Sequence, residues 1–301
     1  MTDGAWTASS HGVDWQVELE QTPLLPGRLV AGRLTVTARD RVTARALLVT
    51  LRGEEHWRYE VSTTDGQGHH RTETRTGTEA LPAVPVRVSG PLELVAGETR
   101  SFDIEIPVPA LGPATLVAEV AGVDWELEAK LDIEGSVDRS IDIPLVVAQP
   151  TALLRAGVVR VGRFDLFDAA DSATGEVTAS IELDPVPLVC GQPFTGRLEL
   201  RLREAIDLQE VRAELRVRVE ATVSGGLDET ITAWAGQVRG AGRLEGEVLL
   251  DVAGTLADRP LPTIELRHGR ASAEFHVILA RAWARDPHLV RGVAVATTRD
   301  V

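Results

Sequence analysis

The chain has 301 residues, enough for two cores, since a single core rarely grows past about 250 to 300 residues. Hydrophobic residues make up 44% and charged residues 25%, the balance of an ordered globular protein rather than a disordered one. A formal net charge of −14, with Lys130 the only lysine, repels nucleic acid and anionic lipid at long range, so neither a nucleic-acid partner nor stable membrane insertion is expected.

The first residues, MTDGAWTASSHGVDW, lack a basic start followed by an apolar stretch, and residues 1–13 read as an N-terminal tail. The single cysteine, Cys190, leaves no internal disulfide; together these favour a cytoplasmic location. From residue 14 the pattern is apolar and polar in alternation. In PGRLVAGRLTV (26–36), Gly27 after Pro26 suits a turn that needs a positive φ, and Gly32 within the strand pattern marks a bulge or a close backbone approach. A strand rather than a helix follows these glycines, so no helix N-terminus is in place to receive a phosphate. ALLVTLRGEEHW (46–57) is a second strand.

The segment STTDGQGHHRTETRTGTE (62–79) is the most polar in the chain. It reads as a hairpin loop, and His69, His70, Arg71 and Arg75 are its candidate partner contacts, against the plainer reading of a solvated tip. Two adjacent histidines without nearby cysteines or carboxylates fall short of a metal site.

SFDIEI places Phe102, Ile104 and Ile106 opposite Asp103 and Glu105. WELEAKLDI places Trp125, Leu127, Ala129, Leu131 and Ile133 opposite Glu126, Glu128, Lys130 and Asp132. Such alternation is what a strand with one oily and one wet face requires. The longest apolar run, IPLVVAQPTALL, is too short to cross a bilayer and is broken by Gln149 and Pro150.

Residues 149–175 read as a polar connector between domains at 14–148 and 176–301, with Phe164, Leu166 and Phe167 docked between them. Its Asp165, Asp168 and Asp171 lie three apart, the wrong spacing for a calcium loop. Beyond it, GRLELRLR and VRAELRVRV resume the alternation. Cys190, before a turn glycine, reads as a small strand-end hydrophobe, not a nucleophile. Trp57, Trp125, Trp234 and Trp283 read as core or near-core packing. No nucleophile elbow, zincin motif or phosphate-binding loop is present. No catalytic residue, metal or cofactor is therefore expected, and the chain is read as a non-enzyme.

The glycine phrase recurs: GRLVAGRL at 27–34 and GQPFTGRL at 191–198 lie too far apart for a solenoid unit. PATLVAEVAGVDWELEAKL (113–131) and PTIELRHGRASAEFHVIL (262–279) also run in parallel, with Thr115 matching Thr263 and Leu127 matching Phe275. Gly97 before SFDIEI has a weaker echo in Gly242. The chain is a duplication.

PGRLVAGRLTV, ALLVTLRGEEHW, AGETRSFDIEIPVPALGPATL (96–116) and VDWELEAKLDIEGSVDRSIDIPLVV (123–147), in that order, resemble the arrestin-domain-containing proteins and their bacterial sporulation-control relatives. The resemblance covers the first 148 residues nearly throughout, and the second half through TGEVTASIELDPVPLVCGQPFTGRLEL. It implies an all-β protein of two tandem immunoglobulin-like β-sandwich domains, acting as a scaffold or adaptor without chemistry of its own. The adjacent lysine pair of the receptor-binding arrestins is missing, and GPLELVAGETR leaves little room for their short amphipathic helix.

The expected function is binding of protein partners through sheet edges, the 62–79 hairpin and the interdomain cleft. Edge strands also offer a route to a homodimer, which their charged outer residues oppose. The alternative is a ligand-binding sandwich holding a small molecule or sugar in the cleft, lined by exposed Trp234 or Trp283.

Overall fold

The computed structural model describes residues 4–64, 70–154, 161–169, 175–282 and 285–299. Among these the chain is strand throughout, with no α-helix and a single 3-10 turn at Thr151–Leu153. It divides into two compact units. The first comprises Met1–His56, Gly77–Thr115 and Gly122–Ala148, and the second Trp57–Thr76, Leu116–Ala121 and Gln149–Val301.

The first copy of the repeat supplies β1 (Gly4–Ser10), β2 (Val13–Leu19), β3 (Leu29–Ala38), β4 (Val42–Ala44), β5 (Ala46–Thr64), β6 (His70–Ala80), β7 (Val84–Ser89), β8 (Leu92–Leu94), β9 (Thr99–Pro107), β10 (Ala121–Asp132) and β11 (Arg139–Leu145). β1-β2-β3-β9 form one antiparallel sheet; β11-β10-β5-β6, with β7 also paired to β5, form another. The alternation read from the sequence is obeyed strand by strand: Trp125, Leu127, Ala129 and Leu131 of β10 are buried, as are Val13, Trp15, Val17 and Leu19 of β2. Each large side chain so buried contributes about 1.5 to 3 kcal/mol before entropy is counted. GPLELVAGETR contributes β8, paired with β4, and the start of β9.

The second copy supplies β12 (Gly162–Asp168), β13 (Val177–Asp184), β14 (Leu188–Val189), β15 (Pro193–Leu202), β16 (Ile206–Leu208), β17 (Glu210–Ala221), β18 (Asp228–Arg239), β19 (Gly242–Leu244), β20 (Glu247–Thr255), β21 (Ile264–Glu265), β22 (Gly269–Ala280), β23 (His288–Val293) and β24 (Val295–Ala296). Two four-stranded layers, β18-β17-β22-β23 and β12-β13-β15-β20, repeat the sheets of the first copy. Here they are joined along one margin, because β12 also pairs with β23 through Phe167 with Val290 and Asp168 with Leu289. Between them lies one core holding Ile181, Leu198, Leu215, Val217 and Phe275. Trp234 packs into it edge-on to Phe194, at 5.0 Å and 85°, and stacked with Phe275 at 6.2 Å.

Two stretches of the first copy are built into this second unit. Leu116, Ala118 and Ala121 join its core, and the Val117 N–H donates to Pro260 O at 2.9 Å. The Glu229 carboxylate accepts the N–H groups of Glu119 and Val120, at 2.5 and 2.8 Å. Glu60 N–H donates to Gly225 O, Leu227 N–H to Arg58 O, and Arg58 N–H to Val120 O. Trp57 stacks on His268 with ring centres 3.8 Å apart.

The duplication is written into hydrogen bonds. Thr115 N–H donates to Val147 O while its Oγ1 accepts the Val147 N–H, both at 2.9 Å; Thr263 and Val295 repeat the pair at 2.9 and 3.0 Å. Gly27 and Gly191 hold φ of 74° and 68° in matching turns. Gly32 and Gly196 sit where a side chain would strike the carbonyl oxygens of Glu18 and Glu182 on the neighbouring strand. Of the two sequence options at Gly32, close approach is correct, since the β3–β9 register runs unbroken through it. One assignment shifts: Gly242 pairs with Leu208 as Leu92 pairs with Ala44. The positive φ of Gly97, 82°, is matched by Gly246, 67°.

Two boundaries also differ from the sequence reading. Residues 4–10, read as tail, form β1 along the whole of β2. The connector contains β12, whose Leu166 is buried in the second core with Phe164 packed against it, while Phe167 is exposed. GAWTASS and GRFDLFD are short and polar, so their period-two signal is weak, and pairing partners distant in sequence make them strands.

Gly32→Ala and Gly196→Ala should each lose about 1 to 3 kcal/mol, read as a lower denaturant midpoint with an unchanged slope. Gly32→Ala should lose more, its Cβ being the closer to backbone.

Candidate functional site

The proposed contact residues lie on the β5–β6 hairpin. His70, Arg71 and Arg75 are on β6, and His69 lies outside the described residues, as does Trp283. From His70 to Thr76 every residue of β6 is exposed. His70 Nδ1 lies 3.0 Å from Thr64 Oγ1, and Arg75 pairs along its own strand with Glu73 at 3.3 Å. Strand geometry thus brings Arg71 and Arg75 onto one face and His70 onto the other.

The outer sheet faces carry networks that sequence reading assigned to solvation. In the first unit Arg52 of β5 reaches Glu126, at 2.9 Å, and Glu128, at 3.3 Å, both on β10, and Asp142 of β11, at 2.7 Å. One guanidinium, with five donors in a rigid fork, holds three carboxylates that would otherwise repel.

The same backbone positions of the second unit carry a different set. Arg216 occupies the place of Arg52, Glu274 that of Glu126, His276 that of Glu128 and His288 that of Ser140. Arg216 turns to Glu214 of its own strand, at 2.6 Å, and Arg212 reaches the same carboxylate at 2.7 Å. Burial works against ionising Glu214, but the hydrogen bond and charge of Arg216, with Arg212, outweigh it and hold its carboxyl below the usual range.

His276, 6% exposed although on the outer face, is then left to its neighbours. Its Nδ1 lies 2.7 Å from His288 Nε2 and its Nε2 lies 3.2 Å from Glu274. Burial first and the positive Arg216 second push both imidazoles below the ordinary histidine value. No spacing motif points to this pair, because only the β22–β23 register joins residues twelve apart.

The remaining candidates are accounted for by packing. Cys190 lies against the second core, and burial pushes its thiol up, away from the reactive thiolate. Trp125 is buried, with its indole N–H donating to Pro113 O at 3.0 Å. Trp234, half-buried, packs its ring against the second core. Asp165 and Asp168 lie on β12, and Asp171 falls outside the described residues. Among the described residues no group of three or more His, Cys, Asp or Glu is arranged to hold a metal, and no helix is long and apolar enough to cross a membrane.

Residues 10–158 match the family of the SpoOM protein. That family is one of sporulation control and is arrestin-like, which suggests a regulatory role for this chain. The matched stretch covers the first copy of the repeat from the end of β1 and carries the Arg52 network and the whole hairpin. No curated protein matches the chain.

Arg52→Met should lower the thermal midpoint by the equivalent of about 1 kcal/mol, and the deficit should shrink with added salt. A deficit insensitive to salt would mean lost packing rather than charge.

Proposed function

We propose that the protein is a non-enzymatic, cytoplasmic regulatory adaptor of arrestin type, binding protein partners chiefly along β6. The observation that carries this reading is the contrast within one hairpin. Its base, Trp57–Glu60, is fixed by the His268 stack and by hydrogen bonds to Gly225 and Val120, whereas His70–Thr76 is exposed at every position on the last strand of its sheet.

An anchored strand with an open edge loses little conformational freedom on binding, and its N–H and C=O groups are spaced to pair with an extended segment of a partner. Side chains then supply selectivity, with Arg71 and Arg75 on one face and His70 with the threonines on the other. The same edge would serve a homodimer, and Arg71, Glu73 and Arg75 are the charges such a pairing must accommodate. The family match supports a regulatory role, and the resemblance to arrestin-domain-containing proteins supports scaffold over catalyst.

The triple variant His70→Ala, Arg71→Glu, Arg75→Glu changes only exposed positions and should leave the thermal midpoint within about 0.5 kcal/mol of wild type. It should lose partners that co-purify with the tagged protein from the native cell by at least about tenfold, a loss of about 1.4 kcal/mol in binding. Undiminished recovery of the same partners would remove β6 from the interface.

A further inference from the structure

Among the described residues, buried His276 and half-buried His288 form a titratable pair that neither packing nor the proposed partner contact uses. Its hydrogen bonds fix who donates. The Glu274 carboxylate accepts only, so His276 Nε2 carries a proton and donates to it. In the neutral ring Nδ1 is then bare, and it accepts from His288 Nε2–H across 2.7 Å. A proton added at His288 Nδ1 leaves this chain intact. A proton added at His276 Nδ1 sets N–H against N–H, and the bond between β22 and β23 is lost.

Burial and Arg216 oppose that second proton and outweigh the carboxylates around the pair. From β17, Arg216 faces the pair together with Glu214, which Arg216 and Arg212 already occupy. From β22 comes Glu274, already used by His276. From β12, Asp168 stands near His288. β18 sets uncharged Ala235 and Thr232 opposite Glu214 and Arg216. Asp286, just before His288, is tied to the Arg281 N–H.

The location gives the clash a consequence. The His288 carbonyl accepts the Ala169 N–H at 2.7 Å, and the next two residues of β23 are the two that pair with β12. That short ladder is where the two layers of the second unit are joined. We infer that His276 and His288 form an acid-sensitive latch: the pair holds β23 closed with one proton or none between them, and a second proton releases β23 and the β12 seam while the β17–β22 centre stays folded.

The sign follows from linkage. Both imidazoles titrate lower in the closed state than when released, so the latch is fully stabilising above about pH 6.5, the ordinary histidine value, and weakens as pH falls below it. Opening takes up one proton when the closed pair already holds one and two when it holds none, so once the released histidines are charged the opening constant rises about tenfold or more per pH unit. The test is amide hydrogen exchange of the intact chain between pH 7.5 and 5, expressed as protection relative to intrinsic rates. Residues 289–293 and 162–168 should lose about tenfold or more protection per pH unit below the ordinary value, while 211–221 should hold theirs.

His288→Gln keeps a group that either donates to or accepts from His276, and should weaken the acid loss, leaving only the part that burial and Arg216 impose on His276. Ring NMR titration of wild type provides a second readout: the later of the two histidine steps should coincide with the loss of protection. Protection at 289–293 that falls no faster than at 211–221, an undiminished acid response in His288→Gln, or a later step detached from the exchange change would each overturn the latch.

Discussion

The structure rests on a sheet having one face in oil and one in water. On β17, Val211, Ala213, Leu215, Val217 and Val219 are fully buried while Arg212, Glu214, Arg216, Arg218 and Glu220 alternate with them. A charge moved to the inner row would lose its water without finding a partner, at a cost of several kcal/mol, a large share of any domain's net stability. Inner rows are therefore largely apolar in both copies, with Glu55 of β5 a buried exception, and polar variation is pushed outward.

That confinement explains how two copies of one scaffold come to differ. Gly32 and Gly196, Thr115 and Thr263, and the buried rows of β5 and β17 serve packing and repeat one another closely. On the outer faces an arginine is retained, Arg52 and Arg216, while its company changes from three carboxylates to a carboxylate on its own strand beside a histidine pair. A duplicated fold keeps its interior and lets its exterior acquire separate roles, which is why function is argued from particular faces and not from architecture.

The strands and the duplication were legible because period two and the glycine phrases are local signals. Two things were not. Periodicity says that Trp57, Leu116 and Ala118 face a core, but cannot say which core, so their place in the second unit was invisible from a pattern within the first copy. The outer networks were hidden for a related reason: Arg52 meets Asp142, and His276 meets His288, only through strand register, which distant pairing sets. β1 and β12 were missed because Thr, Ser, Asp and Gly dilute their alternation. The resemblance pointed to an arrestin-like chain, and the SpoOM protein match over residues 10–158 agrees with it in the copy where the quoted motifs are densest.

The second unit draws on chain from Trp57 onward, and this bears on how the molecule is made. A ribosome adding about 5 to 20 residues per second needs roughly ten to thirty seconds to pass from Glu60 to its hydrogen-bond partner Gly225. From the moment each is made, Trp57 and later Leu116 and Ala118 wait for the second-unit residues they pack with. Nascent chains of this protein thus present an oily, half-finished surface in every round of translation, a demand on chaperones that two units folding strictly in sequence would not make.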